Sequence, residues 1–369
     1  MDLIRIELLV VSNFRNYKTL NCRFHPQFNV ITGKNGAGKT SILDAIYYLT
    51  NGRSYFSYQD QYLYRHGEDF LRLGTKLYSG DDSYKIDINS SLSTKKIIKV
   101  EDKAIVSRVE FVGRFPSFII APNDISILLE SSAERRKLID KTISQVDRVY
   151  FSQLLIYNKL LKQRNAALKQ MRETGQKNLL LIESFNAKMV EPANYIYNNR
   201  MKYVEDIIPM INAFYKEISD DSETIKLTYI SELSDMSFEQ LQESSKFKDL
   251  AAAKTTSGIH RDDIDVTLNN YPIKKYASQG QLKSSVIALK LAQLEYVRII
   301  TQKIPILLLD DIFDKLDGDR VQNFIMLCKE QLKAQVFITD TAENRVEERL
   351  EHLGIENLSF KIDNGVIIE

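Results

Sequence analysis

The stretch Gly33-Lys34-Asn35-Gly36-Ala37-Gly38-Lys39-Thr40 constrains this chain more than any other. It fits G-x-x-x-x-G-K-[ST], and its flanks supply the setting such a loop requires. Phe28 to Thr32 is a short apolar, β-branched run that reads as a buried strand, and Ile42, Leu43, Ala45, Ile46 and Leu49 follow at helical spacing. Strand, glycine loop and helix together make a phosphate cradle. Glycines reach φ > 0, so successive N–H groups can converge on an anion. The helix then opens with its partial positive charge toward that anion. In this reading Gly33 to Ser41 hold a nucleoside triphosphate, Lys39 reaches the β- and γ-phosphates, and the Thr40 hydroxyl holds Mg²⁺. The expected cofactors are ATP and Mg²⁺.

Charge does not announce the partner. Lys and Arg number 50 against 49 Asp and Glu, a net charge of +1, so any polyanion-binding surface must be local. Cys22 and Cys328 are far apart and fit no metal-ligand spacing, which suits a reducing compartment. The start, Met1 to Arg5, lacks a signal-peptide pattern, and no apolar run reaches the length of a membrane span. The expectation is a soluble cytoplasmic protein without a membrane partner.

The predicted fold class is α/β, a P-loop ATPase head with a helical insertion. Alternation over Ile4, Ile6, Leu8 and Val10 predicts a strand, Phe14 to Tyr17 a turn, and Phe70 to Val100 antiparallel hairpins. Ser117 to Ala121 reads as another apolar strand. From Glu134 to about Tyr215 the period is helical, with the stripe Ile139, Ile143, Val146, Val149, Leu154, Tyr157 and Leu161. Further helices are expected from Leu179 to Val190 and from Pro192 to Tyr215, the last broken or kinked at Pro209. Ile225 to Ile230 resembles a strand and Ser237 to Leu250 a polar helix. The α/β texture is expected to resume at Ile264 to Leu268, ahead of the helix Gln281 to Ile300 and the apolar strand Ile306 to Leu309. The domain expectation is an N-terminal ATPase part at 1–124, an all-helical insertion at 125–250 and a C-terminal ATPase part at 251–369 that returns to the same sheet.

Asp310 and Asp311 leave that last buried strand. A carboxylate there can hold the metal, so Asp310 is the second metal residue, and Asp311 stands where a base could polarise the attacking water. Ser278-Gln279-Gly280-Gln281 precedes a long helix. Its letters fit an ordinary N-cap, and equally a second anion cradle that would be half of a composite site. Between Glu134 and Glu173 ten Lys and Arg oppose four acids, an excess that fits a solvated helix face or a stripe contacting phosphates. His260, Asp262 and Asp263 could be read as a metal cluster. A structural role is preferred, because no further ligand lies near them in sequence.

With these residues in view the chain resembles the RecF family, the SMC-like recombination-mediator ATPases of bacterial DNA repair. Ser278 to Gln281 stand where ABC-type ATPases carry their signature, and Asp314 to Asp317 where they carry the D-loop. Asn13-Phe14-Arg15-Asn16-Tyr17, Gly52-Arg53-Ser54, Glu134 to Lys137, Lys162 to Asn165 and Gly258 to Asp263 are the more selective matches. The resemblance implies a slow, Mg²⁺-dependent, DNA-stimulated ATPase that forms an ATP-dependent homodimer. It further implies catalytic roles for Lys39, Asp311 and Ser278, with Ser278, Gln279, Gly280 and Gln281 also touching nucleotide. Duplex or gapped DNA would be contacted by Arg135, Arg136, Lys159, Lys162 and Arg164. RecR, RecO and RecA are implied as partners, RecA being loaded at single-strand gaps. Departures are the missing Q-loop glutamine after Ser117 to Ala121, where Asn123 or Asp124 could substitute, and Thr339 in the place of a switch histidine. A transporter ATPase subunit would need a membrane-coupling surface, and the basic insertion argues against one. An SMC head would need a far longer arm, and an SMC-like nuclease an extra acidic domain that this length does not accommodate.

Overall fold

A computed structural model describes residues 1–57, 59–176, 178–219, 223–313 and 318–368. The chain divides into two compact units. The first comprises Met1–Asp124, Phe214–Asp221 and Ile287–Glu369; the second comprises Ile125–Ala213 and Ser222–Val286.

The first unit is built on two sheets. One is six-stranded, in the order Val366–Ile367, Asn357–Asp363, Phe28–Thr32, Val336–Asp340, Ile306–Asp310, Ser117–Ile120. Its strands are parallel except for the terminal hairpin formed by Val366–Ile367. Every residue of Phe28–Thr32, Ile306–Asp310, Val336–Asp340 and Ser117–Ile120 is buried, which is why these runs are predominantly apolar rather than alternating. The second sheet is antiparallel apart from Lys303–Ile304, which pairs parallel with the start of Asp2–Phe14; that central strand also pairs with Tyr17–Arg23 and with Phe70–Ser79, and the hairpin partner Asp82–Ser91 follows. The helix Lys39–Asn51 contacts strands of both sheets and buries every residue except Thr40. A helix buried all round cannot be amphipathic, and its Tyr47-Tyr48 pair belongs to the core on that account. Gly52 ends it at φ 69°, donating its N–H to the Tyr48 carbonyl.

The second unit departs from an all-helical insertion. Beside the helices Ser132–Val146, Arg148–Thr174 and Phe238–Ala252 it holds a three-stranded antiparallel sheet, Tyr271–Pro272, Asp263–Leu268 and Ile225–Ile230. The strand expected to rejoin the nucleotide sheet at Ile264 therefore pairs with Ile225–Ile230 instead, with Asp263 opposite Ile230 and Leu268 opposite Ile225. This unit runs on to Val286 rather than stopping near residue 250. The alternation of Asp263, Asp265 and Thr267 with Ile264, Val266 and Leu268 carried that information, since a strand with one polar face cannot sit inside a parallel sheet.

Two further differences concern helices. Leu179–Ser219 is one continuous helix of 41 residues with Pro192 and Pro209 inside it. Each interior proline costs about 3 kcal/mol. Met189, Ala193, Ile196, Tyr203, Ile207 and Ile211 are all buried on one face, and apolar side chains of this kind return roughly 1.5–3 kcal/mol each. Burial wins. The stripe from Ile139 to Leu161 is split at Asp147, whose carboxylate caps the second helix by accepting the Tyr150 N–H at 2.9 Å. Ile139, Ile143 and Tyr157 are buried, whereas Val149 is exposed.

Candidate nucleotide site

The phosphate loop leaves the strand Phe28–Thr32 and enters the helix Lys39–Asn51, both in the first unit. Gly33 and Gly38 stand at φ 148° and 122°. Each is forced to be glycine by space as well as conformation. A Cβ at Gly33 would lie 2.3 Å from the Ile362 carbonyl oxygen, and one at Gly38 would lie 2.9 Å from both Asn16 Nδ2 and the Tyr17 hydroxyl.

Those two contacts identify a clasp that motif reading did not assign to the site. Asn16 Nδ2 donates to the Gly36 carbonyl at 3.3 Å, Ser41 Oγ donates to Asn16 Oδ1 at 2.9 Å, and the Tyr17 hydroxyl donates to the Gly38 carbonyl at 3.2 Å. The turn at Phe14 to Tyr17 thus holds the loop by its backbone oxygens, which keeps the glycine N–H groups free for an anion. Arg15, in the same turn, pairs with the fully buried Asp44 at 2.6 Å. Asp44 also accepts from Ser54 Oγ at 2.7 Å and the Tyr55 N–H at 2.8 Å, fixing the segment that presents Phe56 to the cleft. The only sequence signal for this clasp was the N-F-R-N-Y stretch itself.

Lys39 Nζ donates to the Gly33 and Lys34 carbonyls at 2.6 and 3.1 Å. Burial lowers its pKa from the usual lysine value, opposed by the carboxylates of Asp311, Asp310 and Asp340. Asp310 Oδ1 accepts hydrogen bonds from Thr40 Oγ1 at 2.8 Å and Thr339 Oγ1 at 2.9 Å. Burial raises the Asp310 pKa above the ordinary carboxylate value despite these two hydroxyl donors. Asp311 takes φ 49° as the chain leaves the sheet, and its N–H donates to Thr339 Oγ1 at 2.9 Å. Thr339 therefore ties both acids to the neighbouring strand.

An open cleft of about 290 Å³ is lined by Lys39, Thr40, Asp310, Asp311, Phe56 and Asn123, among others. The two residues considered for the absent glutamine separate here. Asn123 is exposed and faces the cleft. Asp124 is buried, accepting the Ala121 N–H at 2.8 Å and pairing with Lys290 at 3.3 Å, with the Tyr55 hydroxyl as a further donor. Burial lowers the Lys290 pKa, and Asp124 opposes that shift.

The remaining predicted residues lie in the second unit. Ser278 caps the helix Gln279–Thr301 in a reciprocal box: its Oγ accepts the Gln281 N–H at 3.2 Å, and Gln281 Oε1 accepts the Ser278 N–H at 2.7 Å. Ser278, Gln279 and Gly280 are exposed, and Gln281 Nε2 donates to Glu223 at 2.6 Å. The D-loop stretch Asp314 to Asp317 lies outside the described residues.

Of the five basic residues expected on DNA, Lys159 and Lys162 are exposed on the helix Arg148–Thr174. Arg164 is corrected. Its side chain is 1% exposed and pairs with the equally buried Asp249 at 2.7 Å, while also donating to Asn186 and Thr255 at 2.8 Å. A guanidinium held this way cannot reach a phosphate. The helical period placed Arg164 on the inward face, but charge counting alone put it in the stripe. Arg135 makes a two-pronged pair with Asp263 at 2.8 and 2.9 Å, and Arg136 donates to the Asp262 carbonyl, so both are partly engaged within the unit.

Those pairs also explain Gly258 to Asp263. His260 Nδ1 and Nε2 sit 2.9 Å from the Tyr157 hydroxyl and 3.2 Å from the Thr255 carbonyl, and burial brings its pKa down to about 4. Asp262 meets the buried Arg200 at 3.4 Å and accepts from the Tyr229 hydroxyl. Burial is the largest influence on Asp263 and pushes its pKa up, but hydrogen bonds from Arg135 and the Ile264 N–H, with the charges of Arg135 and Arg136, together outweigh it and leave the pKa lowered. Among the described residues no group of three or more His, Cys, Asp or Glu is arranged to hold a metal ion. Nor is any helix among them long and apolar enough to cross a membrane.

Comparison with known proteins adds to this geometry. Residues 5–362 match the family described as the RecF/RecN/SMC N terminal domain. The DNA replication and repair protein RecF of Porphyromonas gingivalis is 36% identical over 367 residues, covering 99% of this chain and 100% of its own. Two solved structures, of the recombination mediator protein RecF-ATPrS and RecF-ATP in the RecFOR pathway, superpose with TM-scores of 0.89 and 0.88. Both are 32% identical and cover 99% of this chain, with 98% and 97% of their own lengths aligned. The chain belongs to the RecF family of DNA replication and repair proteins, on the α/β fold of SMC- and ABC-type ATPase heads.

Proposed function

We propose that this chain is a Mg²⁺-dependent ATPase in which ATP clamps two copies together on duplex or gapped DNA, promoting the loading of RecA at single-strand gaps together with RecR and RecO. The observation that carries the reading is the convergence of Lys39, Thr40, Asp310 and Asp311 on one cleft beside the glycine loop. The Thr40 hydroxyl and the Asp310 carboxylate are hard oxygen donors, the type Mg²⁺ takes. Bound there, the ion would neutralise charge on the β- and γ-phosphates.

The chain's own groups divide the remaining work. Gly36 to Thr40 present N–H groups to the phosphates, and Lys39 moves its ammonium from the loop carbonyls to the β- and γ-oxygens. Asn123 and Asp311 face the γ-phosphate end, where Asp311 orients a water and accepts its proton as the phosphoryl group leaves ADP. Two features favour slow turnover: Asn123 is shorter than a glutamine, and Thr339, which cannot act as an imidazole, holds the switch position. Asp311→Asn is expected to bind ATP as the parent does while single-turnover hydrolysis falls at least about a hundredfold, the scale of a lost general base. An unchanged rate would assign the base elsewhere.

Ser278 to Gln281 of one copy would complete the site of the other by binding the γ-phosphate held in its Gly33–Thr40 loop. ADP lacks that phosphate and should not hold the dimer. Ser278→Arg should leave ATP binding by the monomer intact, because the loop is untouched, yet block dimerisation. Mixed with a Lys39→Met protein it can rebuild one of two sites, so sedimentation should show ATP-dependent dimer in the mixture and little with either variant alone. A Ser278→Arg protein that dimerises normally would reduce the signature to the helix cap.

For DNA, Lys159 and Lys162 supply the exposed charge. Their double replacement by alanine should weaken binding equally across sequences, and should flatten the slope of log affinity against log salt by about 0.9 per lost phosphate contact. An unchanged slope would place the DNA surface elsewhere.

A further inference from the structure

The second unit carries a second cleft, of about 500 Å³, that neither the nucleotide site nor the proposed DNA stripe uses. Its walls come from three places. Ile230 ends the strand Ile225–Ile230 and Ser231 and Glu232 follow it, Lys248 and Ala252 lie on the helix Phe238–Ala252, and Lys254, Thr256 and Arg261 lie in the segment beyond it. Lys248, Lys254 and Arg261 are exposed, and no carboxylate among the described residues forms an ion pair with any of them. The acids nearby are committed. Glu232 accepts from Ser257 Oγ at 3.4 Å and the Gly258 N–H at 3.3 Å, while Asp262 is neutralised by Arg200. The cleft is therefore a cationic rim around a lining that includes the apolar Ile230 and Ala252.

We infer that this cleft docks an acidic peptide segment of a partner protein, one that alternates carboxylates with aliphatic side chains. Three features favour peptide over nucleic acid. The recess is large enough for one or two side chains and far too small for a duplex. Ile230 and Ala252 reward an aliphatic group, which a sugar–phosphate backbone does not offer. The Thr256 hydroxyl, which donates to Asp249 at 2.6 Å, leaves its oxygen to accept a peptide N–H group, whereas a phosphodiester backbone carries acceptors only. The three cations would meet the carboxylates, and charge-assisted pairs at such a rim set partner choice and on-rate.

The test uses the full chain and fluorescence anisotropy with a labelled Asp-Leu-Asp-Leu-Asp peptide, an Asp-Gly-Asp-Gly-Asp peptide and a duplex oligonucleotide. The leucine peptide should bind at least about tenfold more tightly than the glycine peptide, since each aliphatic side chain buried is worth more than 1.4 kcal/mol. Replacing Lys254 and Arg261 together by glutamine should weaken it by more than about tenfold while leaving duplex affinity within twofold. Ala252→Trp, which fills the recess but keeps every cation, should also abolish peptide binding, with a thermal melt to show that the variant is folded. Peptide affinity unchanged in the glutamine variant, or equal binding of the two peptides, would overturn the inference. So would loss of duplex binding with peptide binding retained, which would make the cleft a nucleic-acid contact.

Discussion

Lys39→Met is expected to weaken ATP binding by more than a hundredfold, corresponding to at least about 3 kcal/mol of lost charge-assisted hydrogen bonding. Among the described residues the ammonium is the only lysine or arginine nitrogen lining the cleft, and its place is fixed by the Gly33 and Lys34 carbonyls at 2.6 and 3.1 Å. Methionine matches its length and lacks both the charge and the donors. Burial works against the charged form of Lys39, and the carboxylates of Asp311, Asp310 and Asp340 oppose that shift. A triphosphate adds negative charge at the same point, so the ammonium is worth more in the complex than without it. Isothermal titration with ATP, beside a melt showing the fold intact, measures the effect. Undiminished affinity in a folded Lys39→Met protein would remove the nucleotide from this loop.

The second large effect is on stability. Arg164→Ala should destabilise the second unit by roughly 3–5 kcal/mol, because it leaves the Asp249 carboxylate buried without its cation. Both side chains are 1% exposed, and Asp249 keeps only neutral donors, the Thr256 N–H at 2.8 Å and hydroxyl at 2.6 Å. Asn186 and Thr255 each lose a partner as well. Urea unfolding reads the loss. A destabilisation below about 1 kcal/mol would match a surface arginine and return Arg164 to the candidates for DNA contact. The contrast with Lys159 and Lys162 is the point: the same basic stripe contains residues that hold the unit together and residues that face solvent.

What the linear sequence determined was whatever depends on neighbours along the chain. Strand, glycine loop and helix are local, so Gly33 to Thr40 could be placed with their flanks. The fully apolar run Ile306 to Leu309 announced a parallel sheet, because a strand buried on both faces has no solvent-facing alternation. Tertiary structure decided everything that required a distant partner. Alternation made Ile264 to Leu268 a strand, but only pairing could show that it joins Ile225–Ile230. Two prolines suggested broken helices, and a buried face contributed by the rest of the unit kept Leu179–Ser219 whole. Asp310 was legible as an acid leaving a strand, yet its bonds to Thr40 and Thr339 join residues 270 and 29 positions apart. Arg164 is the sharpest case. Its charge is written in the sequence, but the Asp249 that neutralises it lies far along the chain, and only folding brings the two to 2.7 Å.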